Sequence, residues 1–481
     1  MMQKDNYDAV IVGSGPNGLA AAIALQQEGL DVLLLEGKET IGGGLRSAEL
    51  LLPGYKHDIC SAIHPLALQS PFFKTLPLAE HGLQYCYPEI QAAHPLDDGR
   101  AVGLYASITA TAEQFGVDKQ TYLEVFDPLL NIWPQIIDDV LAPFHWPKHP
   151  MDFLQFGWKA LRPAMATARQ FQSTTLRALW AGMAAHAMLP LSKITTSAIA
   201  LVLTAAGHQR GWPIPKGGSQ GLAQALAAYF VAIGGEIVTN YPISSLSQLP
   251  KAKAVLFDLG PKQLLQLAGH RFSATYRRQL QNYRYGMGVF KMDWILDGPV
   301  PFTSDICRKA GTVHIGNTLE EIAAAEAAVW NGRHPEKPFV LLAQQSLFDE
   351  SRTQAPHQVV WAYCHVPNGS HVDMTAAIEG QIARFAPGFR ERIIAKCATN
   401  AKDYETYNPN YVGGDINGGV MDIGQLFTRP ALRWSPYRTS AKGIYICSSA
   451  TPPGGGVHGM CGYYAAKQVL ADVFKMKPQF M

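Results

Sequence analysis

Gly13-Ser14-Gly15-Pro16-Asn17-Gly18 is the first group of residues whose types and spacing carry chemistry. In a G-x-G-x-x-G turn the first glycine makes the tight bend, the second lets backbone approach a diphosphate, and the third lets a helix pack closely on a strand. The helix that follows presents free amide N–H groups and the positive end of its dipole. Glu36 comes 18 residues after Gly18, where a carboxylate can accept hydrogen bonds from both hydroxyls of an adenosine ribose and would repel a 2′-phosphate. The continuation Gly42-Gly43, followed by Ser47, supplies a second glycine pair that lets another loop approach an extended cofactor, which favours FAD over NAD.

Two later segments carry related signals. Gly454-Gly455-Gly456-Val457-His458-Gly459-Met460 places three glycines ahead of a helix, exposing amide groups that need an anion or a carbonyl as partner. Lys216-Gly217-Gly218 opens a mid-chain unit that runs to Asn240-Tyr241-Pro242-Ile243. For proton transfer the candidates are His458, in the glycine-rich loop, and Asp415, in a Gly-Gly-Asp turn expected to pack near it. His57, Asp58 and His64 rank behind them.

The elements that must position these residues follow from hydrophobic pattern. Tyr7 to Val12 and Val32 to Leu35 read as buried parallel strands, with an Ala/Leu-rich helix from Leu19 to Glu28 between them. From residue 61 to about 205 prolines and aromatics become frequent. The apolar helices expected at Gln170 to Met188 and Ile194 to Gly207 mark a mostly helical insertion. The α/β rhythm returns with a helix from Gly221 to Ala232 and strands at Ile237-Val238 and Val255 to Phe257. Gly288 to Leu296 and Val359 to Cys364 read as strands of a second sheet.

Composition bounds the rest. A chain of 481 residues with 47% hydrophobic and 16% charged residues has enough apolar surface for two cores. Lys plus Arg (40) nearly balances Asp plus Glu (38), which removes the electrostatic case for a nucleic-acid partner. Seven cysteines lack CxxC or metal-ligand spacing, so neither a disulfide framework nor a metal site is expected. With no signal-peptide core and no long apolar span, the chain is expected in the cytoplasm, with peripheral membrane contact through the apolar helices and nearby Lys159, Arg162, Arg169 and Arg177 as an open alternative.

The glycine turn, acidic cap and second doublet together resemble the GG-doublet flavoproteins, which include amine oxidases, phytoene desaturases and retinol saturase. His57-Asp58-Ile59-Cys60-Ser61-Ala62, Tyr407 to Asp415 and Pro452 to Met460 look like the carotenoid and retinoid oxidoreductase group. Within it the resemblance is to bacterial phytoene-dehydrogenase-like proteins and pyridine nucleotide-disulfide oxidoreductase domain-containing protein 2. The redox cysteine pair of disulfide reductases is absent. The resemblance implies an FAD site made of Gly13, Ser14, Gly15, Pro16, Asn17, Gly18, Glu36, Gly43, Gly44, Arg46, Ile243, Ser449, Gly456, Val457 and Met460. It implies that Ile243 meets the adenine through its backbone and that the last helix points at the flavin. Two positions depart from the family. Gly44 stands where an arginine usually follows the doublet, with Arg46 as a substitute, and Ser449 stands where an acidic residue is usual.

The expected fold class is α/β: a discontinuous Rossmann-like FAD-binding domain with a central parallel sheet (1–60, 208–285 and 405–481). An inserted α+β substrate domain with a mixed sheet and apolar helices takes 61–207 and 286–404. The expected activity is an FAD-dependent oxidoreductase that desaturates, saturates or isomerises a lipophilic, unsaturated small molecule. An amine-oxidase-like flavoenzyme and a flavin-binding regulator without catalysis are the alternatives.

Overall fold

The computed structural model describes residues 2–478. Its first sheet is parallel throughout and is assembled from distant parts of the chain: β1 (Asn6–Val12), β2 (Val32–Leu35), β3 (Glu236–Val238), β4 (Lys251–Phe257) and β5 (Ile444–Ile446), in the order β5-β4-β1-β2-β3. All four residues of β2 and the last four of β1 are buried, as expected of strands covered on both faces. Helix α1 (Pro16–Gln26) packs against α2 (Gln220–Ala232) and α3 (Met460–Val469), so the first, middle and last parts of the chain meet at one helix. Helix α1 starts earlier than its apolar pattern suggests, because Pro16 at its first turn is preset to helical φ and needs no N–H partner there.

The second sheet has seven strands, in the order Ile393–Thr399, Gly288–Leu296, Gln358–Val366, Val340–Ala343, Ala310–Ile315, Ile90–Pro95 and Ala101–Leu104. It is mixed: Ala310–Ile315 pairs parallel with Ile90–Pro95, and the other pairings are antiparallel. Two of its strands come from the segment expected to be mostly helical. Their apolar runs are short and His94 and Pro95 interrupt them, which hid the alternation. The same segment holds a long helix, Lys119–Val140, that its internal Pro128 and Pro134 masked.

The apolar helices, observed at Thr174–Ala185 and Thr196–Arg210, are core elements. Ten of the twelve residues of the first are buried, so this helix presents no apolar face to a membrane. Arg177 forms an ion pair with Glu320. The exposed apolar side chains lie elsewhere: Trp434 (98%) in one loop, and Phe144 (88%), Trp146 (84%) and Trp158 (77%) in a stretch of chain that also exposes Met151, Leu154 and Leu161. Among the described residues no helix is long and apolar enough to cross a membrane.

Candidate functional site

The glycine turn lies at the carboxyl ends of β1 and β4, where strand order reverses direction in the chain and ligands of open α/β sheets bind. A Cβ at Gly18 would lie 2.0 Å from the Gly13 carbonyl oxygen, so only glycine permits this strand-to-helix approach. The second doublet is built onto the first turn: Gly42 N donates to Ser14 O at 3.0 Å, and a Cβ on Gly43 would come within 2.9 Å of Gly15 Cα. The mid-chain segment joins them through Tyr241 N, which donates to Glu36 O at 2.9 Å.

Glu36 is buried and densely bonded. Its Oε2 accepts from Ser14 N (3.0 Å) and from the Ser14 hydroxyl, and its Oε1 accepts from Lys38 N (2.9 Å). Arg46 Nη2 lies 3.0 Å from Oε1, and Arg46 Nε donates to Thr40 O at 2.9 Å. The guanidinium is therefore used to neutralise Glu36 and tie down the loop before the doublet. The space beside Gly44 is taken by Tyr411, whose hydroxyl would be 2.5 Å from a Cβ at position 44.

The closing segment runs from β5 through Ser449 to the glycine loop and α3. Ser449, Gly456 and Val457 border the cavity, whereas Met460 is buried at the first turn of α3. His458 is buried away from the cavity: its Nδ1 accepts from Met460 N (3.0 Å), and Ser70 Oγ donates to its carbonyl (2.6 Å). Burial lowers its pKa to about 4, leaving it a neutral loop anchor. Asp415 is also buried away from the cavity, with Oδ2 accepting from Gly286 N (2.6 Å) and Oδ1 from Asn417 N (2.9 Å). Burial raises its pKa.

Of the lower-ranked candidates, Asp58 is a buried junction. Its Oδ1 accepts from Ser47 Oγ and Ser219 N, both at 2.7 Å, and its Oδ2 pairs with Arg352. Burial acts to raise its pKa, but Arg352 and the Ser219 amide hold the carboxyl below its usual value. His57 is buried 3.4 Å from Asp293. Of these three, His64 alone borders the cavity; burial lowers its pKa to about 4, and its Nδ1 has no hydrogen-bond partner among the described residues.

These parts enclose a cavity of about 890 Å³. One end is bordered by Gly13 to Asn17, Glu36, Gly43, Gly44, Arg46 and Ile243; the other reaches the mixed sheet at Thr312, Leu341, Trp361 and Tyr363. Gly18 sits just behind the first end, its N–H donating to Asp258 Oδ2 at 3.0 Å. Asp258 is a cavity residue that the sequence reading passed over, and the signal was there: an acid directly after a buried parallel strand, at the ligand end of the sheet. Burial raises its pKa to about 7, the Gly18 amide opposing and the charge of Glu36 adding to the shift. Lys291 and Asp293 were also passed over. They lie two apart in an otherwise apolar strand, hence on one face, and Lys291 Nζ donates to both Asp293 oxygens (2.7 and 2.6 Å) and to Asp58 O (2.9 Å).

Comparison with known proteins agrees with this geometry. Residues 11–74 match the family model described as NAD(P)-binding Rossmann-like domain. Pyridine nucleotide-disulfide oxidoreductase domain-containing protein 2 of Rattus norvegicus is 24% identical, over 98% of this chain and 95% of that protein. A limonene dehydrogenase chain of Castellaniella defragrans is 22% identical, over 98% of this chain and 96% of that one. Among solved structures, putrescine oxidase bound to putrescine superposes with a TM-score of 0.62 at 15% identity, covering 98% of this chain and 99% of that one, a likeness of fold. The chain is therefore built on an NAD(P)-binding Rossmann-like domain within an oxidoreductase fold, and is homologous over nearly its whole length to pyridine nucleotide-disulfide oxidoreductase domain-containing protein 2 and to the limonene dehydrogenase chain.

Proposed function

We propose that the protein is an FAD-dependent oxidoreductase acting on a lipophilic, unsaturated small molecule by desaturation, saturation or isomerisation. The observation that carries this reading is one continuous cavity running from the glycine turn to an aromatic and aliphatic pocket on the mixed sheet. Its volume lies within the roughly 300–1,000 Å³ range of ligand pockets. The donor set fits a dinucleotide: the α1 N-terminus for the diphosphate, Ser14 and Glu36 for the ribose, and Ile243 beside the adenine. Asn17 Oδ1, buried in this region, has no partner among the described residues and is a ready acceptor. Ser449, Gly456 and Val457 would border the isoalloxazine. Bound FAD would supply the hydride acceptor. The chain supplies binding and water exclusion, with Asp415 and His458 fixing loop backbone and with His64 and His186 as the imidazoles that border the ligand space.

Among the described residues the carboxylates bordering the cavity are Glu36 and Asp258, both at the glycine-turn end. Without an acid in the substrate half, a cationic amine has no counter-charge there, which places the amine-oxidase reading second. The test is direct. The purified protein should be yellow and release FAD on denaturation; under anaerobic conditions a lipophilic polyene or terpene should bleach it where the substrate is desaturated, restore the colour of dithionite-reduced protein where it is saturated, and be converted without net bleaching where it is isomerised. Bleaching by putrescine or cyclohexylamine alone would reverse the ranking, and a colourless protein unable to take up FAD would overturn both readings.

The same proposal assigns peripheral membrane contact to the face headed by Phe144, Trp146 and Trp158. Phe144 stacks edge-on against Phe427 (6.2 Å), and Thr195 N donates to Leu161 O (3.1 Å), so three exposed segments join. Between Phe144 and Arg162 the charged residues are Lys148, Lys159 and Arg162 against Asp152, three basic and one acidic. Exposed Trp and Phe with basic neighbours suit the headgroup layer of an anionic bilayer.

A further inference from the structure

The mixed sheet turns a patterned face toward the cavity. Tyr363 opposes Leu341, which opposes His314; Trp361 opposes Ala343, which opposes Thr312. Alternation along each strand puts these two rows on one face. Thr312, Leu341, Trp361 and Tyr363 border the cavity, so this face is its floor. His314 is covered by His186, which follows the helix Thr174–Ala185 and itself borders the cavity.

The two histidines fix each other's protons. Their Nε2 atoms lie 2.9 Å apart, so one donates and the other accepts. Burial lowers both pKa values, that of His186 to about 3, and both rings are neutral near pH 7. His314 Nδ1 is buried without a partner among the described residues, and a Cβ at Gly182 would lie 2.8 Å from it. An N–H without a protein acceptor costs more sealed in at His314 Nδ1 than at His186, which is half-buried and borders the cavity, so the His314 proton belongs on Nε2, donated to His186. The His186 proton is then on Nδ1, which has no acceptor among the described residues. The Thr312 hydroxyl, also buried, is a second polar group without a partner among them.

We propose that His186 Nδ1–H, with the Thr312 hydroxyl, receives an oxygen of the substrate, so that the molecule bound is a lipophilic ketone, enone or alcohol instead of a bare hydrocarbon. This rests on the proposed substrate site and adds the functional group it selects. Trp212, Trp361 and Tyr363 hold the carbon skeleton around that contact.

Carvone and limonene share a skeleton and differ by one carbonyl, which makes them suitable probes. Their dissociation constants would be measured on the full-length protein with FAD present, by quenching of tryptophan fluorescence, for the wild type and for His186→Phe, His186→Gln and Thr312→Val. The wild type should bind carvone about tenfold more tightly than limonene, the margin one or two hydrogen bonds give. His186→Phe should abolish the margin, Thr312→Val should reduce it, and His186→Gln, which keeps a donor, should retain most of it, with limonene unchanged throughout. Equal binding of the two probes by the wild type, binding of neither, or equal weakening of both by His186→Phe would overturn the inference. If His186→Phe fails to fold, the wild-type margin and Thr312→Val decide. FAD content, read from absorbance in the same samples, tells this failure from that of the cofactor reading: yellow protein without carvone preference defeats only the oxygen contact.

Discussion

The Tyr411 hydroxyl occupies the space that any side chain at Gly44 would enter, at 2.5 Å from an ideal Cβ. The turn after the second doublet is thus matched to a residue 367 positions later in the chain, and the family's usual arginine could not be accommodated without moving Tyr411. Gly44→Ala should destabilise the protein by about 1–3 kcal/mol, the usual cost of overpacking. In a double-mutant cycle with Tyr411→Phe, which removes the clashing oxygen, part of that loss should return. Thermal denaturation reads both, and strict additivity would show that the two residues do not meet.

Glu36 and Arg46 are a buried pair, and the two halves of its role separate by mutation. Glu36→Gln strands the guanidinium and should cost about 3–5 kcal/mol in stability. Glu36→Gln combined with Arg46→Met should recover most of that stability while FAD affinity stays low, because the amide offers the ribose one acceptor oxygen where the carboxylate offers two. Isothermal titration with FAD beside denaturant unfolding distinguishes the two effects.

Asp258 links stability to pH. Its pKa is raised from 3.8 to about 7, chiefly by burial, so the folded state binds its proton more tightly than the unfolded chain does. For a carboxyl with a raised folded pKa the stabilising contribution is complete below the unfolded value and is lost as pH rises through the folded one. The contribution of this group should therefore fall between about pH 4 and pH 7, by up to about 4 kcal/mol, against the rise that the buried neutral His64, His186 and His458 give over the same range. Asp258→Asn should gain stability relative to the wild type as pH rises across that range. Parallel curves for the two proteins over this range would remove Asp258 as a source of the pH dependence.

The exposed aromatic face should bind vesicles. Trp146→Ser with Trp158→Ser should reduce co-sedimentation with phosphatidylglycerol vesicles several-fold and leave the melting temperature within about 2 °C of wild type, because surface changes cost little. Wild-type protein that stays in the supernatant, or forms a dimer dispersed by the same substitutions, would assign the face to another partner.

The nucleotide end of the site was legible in the sequence because its determinants are local. A glycine turn, the strand before it, the helix after it and an acidic cap all lie within Asn6 to Glu36, where backbone conformation and packing are set by near neighbours. The strands Val32–Leu35 and Gly288–Leu296 were equally plain, the first a continuous apolar run and the second apolar apart from Lys291 and Asp293, as suits covered sheets. Tertiary structure decided what depends on partners distant in the chain. It turned Arg46 toward Glu36, set Tyr411 against Gly44, and brought Asp258 under the glycine turn from a separate strand. It also drew His458 and Asp415 off the cavity, since each had loop amides to satisfy once buried, and it placed His186 over His314 through a helix and a strand 128 residues apart. A side chain's type is written in the sequence, but whether its polar atoms are spent on the protein or left for a ligand is settled only when the distant segments close around it.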